Sequence, residues 1–126
     1  MGRPKGEAVL TLDSSVPMVY DREGMLERLM NDEDLARAVT QSFLTDIPNQ
    51  IEALRRNLEI SDANGVSRQA HTLKGAAANV GGEALRALAF EMEKACQAGD
   101  LKFVAVHMAD LDRQFLRLKE AMTKSA

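Results

Sequence analysis

Apolar residues recur at intervals of three and four along most of this chain, from about residue 21 to residue 122. That spacing lays them along one face of an α-helix. The pattern predicts a short first helix over about 21–30, with Met25, Leu26 and Leu29 as its apolar side. Asn31 and Asp32 then interrupt the chain and supply a helix cap. A long stripe follows over about 33–59: Leu35, Val39, Phe43, Ile47, Ile51, Leu54 and Leu58. Pro48 falls inside it. Proline lacks an amide donor and crowds the preceding turn, so the sequence is consistent with one kinked helix or with two helices parted at Ile47. Ser61 and Asp62 provide the next cap, and a helix runs from there to about Val80, ending at Gly81-Gly82. The next helix spans about 83–98, with Leu85, Leu88, Ala89, Met92 and Cys96 inward, and stops at Gly99. Asp100 caps the last one, about 101–122, with the row Leu101, Val104, Met108, Leu111, Phe115, Leu118 and Met122.

Four substantial helices joined by short connections predict an all-α fold, an antiparallel up-and-down four-helix bundle, with the short additional N-terminal helix lidding one end. The bundle is expected over 18–126. Residues 1–17 have no helical period and carry Gly2, Pro4, Gly6, Ser14, Ser15 and Pro17, as a flexible linker or leading segment would. No stretch alternates as a strand does.

Composition narrows the function classes. A length of 126 residues is that of one domain, and 45% hydrophobic residues fill one core, while 4% aromatics and the absence of Trp suit a helix bundle. The net charge of −3 argues against nucleic acid as a partner. Cys96 is the single cysteine, which excludes an internal disulfide and a cysteine-built zinc site and fits a reducing compartment. No apolar run approaches the roughly 20 residues that span a bilayer, and the first ten residues lack the apolar stretch of a secretory signal. A soluble, cytoplasmic module without direct membrane contact is expected.

The segment with chemical content is Arg68-Gln-Ala-His-Thr-Leu-Lys-Gly-Ala-Ala-Ala-Asn-Val-Gly-Gly. Its inward stripe is Val66, Ala70, Leu73, Ala77 and Val80. At about 100° per residue, His71 lies roughly 140° from the centre of that stripe and faces solvent. A lone helical histidine is most often an ordinary surface residue, but here its neighbours on the exposed face are Ser67, Gly75 and Ala78, all small. Exposed helix positions usually carry Glu, Lys, Arg or Gln. Gly75 is the sharpest departure, because glycine inside a helix costs about 1 kcal/mol relative to alanine. It points about 180° from the core stripe, so close helix packing does not account for it; the approach of a partner's backbone or of a phosphoryl group does. Lys74, three residues after His71, lies within reach along the helix and can meet phosphoryl oxygens. Arg68 and Arg86 can add positive potential. A neutral imidazole is a good nucleophile, and histidine changes charge near neutral pH. Phosphoryl transfer needs little beyond in-line positioning and charge neutralisation. A histidine with a lysine and no neighbouring acid suits a phosphoryl carrier better than a hydrolase, which needs a base, an orienting group and an oxyanion site.

The run Ala70-His71-Thr72-Leu73-Lys74-Gly75-Ala76-Ala77, followed by Asn79-Val80-Gly81-Gly82, closely resembles the signature of histidine-containing phosphotransfer (HPt) domains of bacterial two-component phosphorelays. The stretch Phe43-Leu44 to Pro48 with Ile51 and Leu54 resembles the helix that precedes it in that family. The resemblance covers about 20–122. It implies that His71 accepts a phosphoryl group from a receiver-domain phosphoaspartate and passes it to a response-regulator aspartate. Lys74 would stabilise the group and Gly75 would give it room, with Ser67, Arg68, Ala78 and Arg86 expected at the partner contact. It further implies a phosphocarrier without autonomous kinase activity, no cofactor in this chain, and Mg²⁺ on the partner receiver. The linker-like start fits a C-terminal module of a hybrid sensor histidine kinase. A monomer is expected. The residues after Lys-Gly are often Ser in the family and are Ala76 and Ala77 here, but both point away from the His71 face. A sensor kinase's own dimerisation helix typically has an acidic residue after its histidine; Thr72 stands there instead.

Two other classes compete. A metal-binding bundle needs inward Glu-x-x-His pairs, and neither His71 nor His107 has a Glu three residues before it. A non-catalytic helical adaptor is the closer rival, with Phe103 and Val106 off the main stripe of the last helix and available to the first helix or a partner. His107, flanked by Val106 and Met108 and followed by no Lys-Gly, reads as structural.

Overall fold

The computed structural model describes residues 16–125. Among the described residues six helices follow one another: α1 (Arg22–Arg28), α2 (Glu33–Glu59), α3 (Ala63–Val80), α4 (Glu83–Gln97), α5 (Leu101–Val106) and α6 (Met108–Ser125). There is no strand among the described residues. Four of the helices begin in the same way. Asp21, Asp32, Asp62 and Asp100 each accept a hydrogen bond from the amide three residues on, at Gly24, Leu35, Gly65 and Phe103. An aspartate at this position satisfies an amide that the first helical turn leaves unpaired, and its charge suits the positive end of the helix.

Helices α2, α3, α4 and the α5–α6 pair form an antiparallel bundle, each contacting the next around the ring, with α1 against α2 and α3. Two backbone bonds tie the entering segment to the α3–α4 turn: Asp21 N to Gly81 O at 2.7 Å and Ala84 N to Met18 O at 2.9 Å. Gly81 has φ 77°, the left-handed conformation glycine adopts at low cost, and a side chain there would run into the Asp21 carbonyl. The expected lid is therefore fastened to the bundle through this turn.

Pro48 lies within α2, and the helix runs through it without a break at Ile47. One expected core residue is misplaced. Leu35 is 45% exposed and Ala36 is buried in its stead. Measured from the buried set Phe43, Ile47, Ile51 and Leu54, Leu35 lies roughly 110° off axis and Ala36 nearly on it, at about 100° per residue. The expected single last helix is divided at His107, whose φ and ψ are −97° and 7°. The Phe103 carbonyl receives both the His107 amide, at 3.1 Å, and its ring Nδ1–H, at 2.8 Å. Side-chain bonding to a carbonyl four residues back competes with regular helix geometry. The first helix also ends earlier than expected, at Arg28, because Met30 and Asn31 take positive φ and the Asn31 amide turns back to the Leu26 carbonyl. Of the expected leading segment, residues 1–15 lie outside the described residues.

The core is aliphatic and methionine-rich, with Leu54, Val66, Leu73, Leu85, Met92, Leu111 and Leu118 all below 2% exposed. The Phe43 and Phe115 rings meet at 6.3 Å in a tilted pair. Cys96 is buried, its thiol donating to the Ala63 carbonyl, and burial pushes its pKa up.

Candidate functional site

The site is built on the outward side of α3 and the adjoining flank of α4. The inward stripe of α3 is as expected: Val66, Ala70, Leu73, Ala77 and Val80 are each at most 1% exposed. That burial fixes the rotation of the helix and turns His71 outward, with 67% of its side chain exposed. Gly75, one turn on, faces open space: a Cβ placed there meets nothing within 4 Å. No contact in the bundle demands glycine at this position, so it leaves clear ground beside the imidazole.

The arrangement has an acid that the α3 segment gives no hint of. Glu93, from α4, is 8% exposed and is the buried charged residue among the described ones. Its Oε2 lies 2.9 Å from His71 Nδ1, and its Oε1 accepts from Lys74 Nζ at 2.8 Å. The expectation of a histidine without a neighbouring acid is thus corrected. The Lys74 hydrogen bond, foremost, and the His71 hydrogen bond hold the Glu93 carboxyl below the usual carboxylate range, against burial, which acts the other way. Two charge-assisted bonds, one to each oxygen, are what a buried carboxylate needs to remain ionised. An ionised carboxylate only accepts, so Nδ1 is the donating nitrogen of His71. In the neutral ring the lone pair then belongs to Nε2.

Glu93 has a signature of its own in α4. Leu85, Ala89, Glu93 and Cys96 follow at four, four and three, so a carboxylate occupies a position in an otherwise apolar row. The stripe read through Met92 hid it. Met92 and Glu93 are both buried, Glu93 on the flank that α4 turns toward α3.

The other expected residues are distributed around this centre. Lys74 and Gly75 share the side of His71. Ser67 is half-buried one turn earlier, and Arg68 is exposed. Ala78 is half-buried, and its carbonyl accepts from Arg28 Nη2 at 2.9 Å, which brings in a cation from α1 that the α3 segment did not indicate. Arg86 pairs with Glu83 in its own turn, at 3.0 Å. Among the described residues no three of His, Cys, Asp and Glu gather to hold a metal ion, and no helix is long and apolar enough to cross a membrane.

The Hpt domain family model matches residues 38–124, a span that contains His71, Lys74, Gly75 and Glu93. This chain belongs to the Hpt domain family. The all-helical bundle matches the crystal structure of histidine-containing phosphotransfer protein B (HptB) from Pseudomonas aeruginosa PAO1, with a TM-score of 0.79 and 20% sequence identity over 85% of this chain and 93% of that one. At that identity the likeness is one of fold. No curated protein matches the sequence significantly. Hpt membership makes this chain a histidine phosphotransfer module of a two-component phosphorelay, a setting in which such modules work with receiver domains.

Proposed function

We propose that His71 is the phosphorylated residue, and that it takes a phosphoryl group from the phosphoaspartate of one receiver domain and yields it to the aspartate of a response regulator. The observation that carries this reading is the hydrogen bond between His71 Nδ1 and the buried Glu93. It leaves the Nε2 lone pair directed away from Glu93, and Gly75, one turn on, adds no side chain beside the ring.

In the forward step Nε2 attacks phosphorus in line with the phosphoaspartate P–O bond. The P–Nε2 bond forms, the P–O bond breaks, and its electron pair returns to the donor carboxylate. The phosphorylated ring keeps its Nδ1 proton and is cationic, so the Glu93 carboxylate at 2.9 Å stabilises it. Lys74 is the cation available to the phosphoryl oxygens, and Glu93 holds its ammonium beside the ring. In the second step an aspartate oxygen attacks phosphorus, the P–Nε2 bond breaks, and the pair returns to Nε2. Mg²⁺ in this reading comes with the receiver domain.

The test is transfer of radiolabel from a phosphorylated receiver to the chain and to two variants. The chain and His107→Gln should both acquire acid-labile, alkali-stable label, and His71→Gln should acquire none. Equal labelling of His71→Gln contradicts the assignment. A folded chain that accepts no label from a panel of receivers favours the adaptor reading.

A further inference from the structure

Phe90 stands on α4 one turn before Glu93 and is 40% exposed. Exposed helix positions seldom hold phenylalanine, and nothing in the core requires it here. Two cations attend its ring. Lys74 Nζ lies 5.1 Å from the ring centroid and Lys94 Nζ 4.7 Å, both inside the roughly 6 Å over which an ammonium is drawn to an aromatic face. They differ in their other partners. Lys94 belongs to α4 and pairs with Glu91 on the same helix at 3.0 Å. Lys74 comes across from α3, and its remaining partner is Glu93.

Glu93 holds the Lys74 ammonium from one side, at 2.8 Å. An aromatic face attracts a cation through its quadrupole and carries no net charge. It therefore adds a second hold on the ammonium without adding negative charge. Lys74 is held from two sides, with 26% of its side chain exposed, and it shares the Glu93 carboxylate with His71.

We propose that Phe90 is a positioning residue for phosphoryl transfer: its ring holds the Lys74 ammonium, through a cation–π contact, where it meets the oxygens of the group arriving at His71. This rests on His71 being the phosphoryl acceptor. The ring acts through Lys74 and touches no reacting atom.

The experiment uses phosphoramidate, a small donor whose P–N bond to ammonia breaks as the P–Nε2 bond forms, so that no protein partner enters. The rate of His71 phosphorylation is followed by ³¹P NMR for the parent chain, Phe90→Leu, Phe90→Trp, Lys74→Ala and the Phe90→Leu/Lys74→Ala pair. Phe90→Leu keeps size and apolarity but loses the quadrupole, and it should slow loading by about two- to five-fold. Phe90→Trp should restore the parent rate, and Phe90→Leu should add nothing once Lys74 is alanine. The ε-methylene protons of Lys74 should move downfield in Phe90→Leu as the ring current is lost. Loading of Phe90→Leu at the parent rate overturns the inference and leaves the role of His71 standing. So does a defect that Phe90→Trp fails to repair, or one that persists in the Lys74→Ala background. A parent chain that loads no phosphoryl group on His71 overturns the proposed function, and this inference with it.

Discussion

His71 and His107 are the two histidines of the chain; one stands inside α3 and the other at the break between α5 and α6, and both donate Nδ1–H to an oxygen at 2.8 to 2.9 Å. Their surroundings differ in every other respect. His71 bonds a buried carboxylate on a neighbouring helix, has a lysine on the same carboxylate, and faces the open ground of Gly75. His107 bonds the Phe103 carbonyl four residues back, is half-buried, and stacks on the Phe103 ring at 4.1 Å. The same Nδ1 bond leaves Nε2 as the lone-pair nitrogen in both neutral rings. In the proposed reading, where His71 is the carrier, tautomer alone does not make one. An acid that bears the charge of the phosphorylated ring, a cation for the oxygens and space for the incoming group complete it, and the fold gathers all three at one histidine.

Each difference can be removed in turn. Gly75→Gln closes the space and so makes His71 as crowded as its counterpart. Transfer should fall on the order of a hundred-fold, the penalty of displacing a reacting group by about an ångström. The bundle should be unchanged, or more stable by about 0.5 kcal/mol from helix propensity. Normal transfer in a folded variant would refute the steric role. Lys74→Ala takes away the cation that His107 lacks. One charge-assisted hydrogen bond of about 1.5 kcal/mol corresponds to about a ten-fold loss of rate. Unchanged kinetics would mean that the charge is unused. Glu93→Gln gives His71 a neutral acceptor like the one His107 has. An amide has one accepting oxygen where the carboxylate has two, so it cannot receive His71 and Lys74 on separate oxygens as Glu93 does. A charged acceptor exceeds a neutral one by about 1 kcal/mol, and transfer should slow about five-fold.

Glu93→Gln has a second signature, in stability. The folded carboxyl lies below its ordinary range, so the unfolded chain binds the proton more readily. The stability it contributes is fully present above the usual carboxylate range and is lost as the pH falls through the depressed folded value. Melting curves should show the parent losing stability over that acid interval more steeply than Glu93→Gln. Parallel curves would mean that the carboxylate is not held as the geometry indicates.

Much of this was legible in the chain. Helix positions follow from apolar spacing, and three of the aspartate caps, at Asp32, Asp62 and Asp100, stand where the pattern breaks. The outward rotation of His71 follows from the stripe of α3 alone, and so does the solvent-facing direction of Gly75. What escaped depends on contacts between elements. Glu93 and His71 are 22 positions apart, and their meeting is set by the register of α4 against α3, which no single helix encodes. The interruption at His107 comes from a side-chain bond to a carbonyl, invisible to apolar periodicity. Arg86 pairs with Glu83, one turn away on its own helix, a contact that apolar periodicity does not announce.

The most direct measurement is the ¹⁵N and ³¹P NMR spectrum of the phosphorylated chain, which identifies both the residue and the ring nitrogen that carry phosphorus. A P–N coupling to Nε2 of His71, with Nδ1 still protonated, is the predicted result. Phosphorus on Nδ1 of His71, or on either nitrogen of His107, would contradict it.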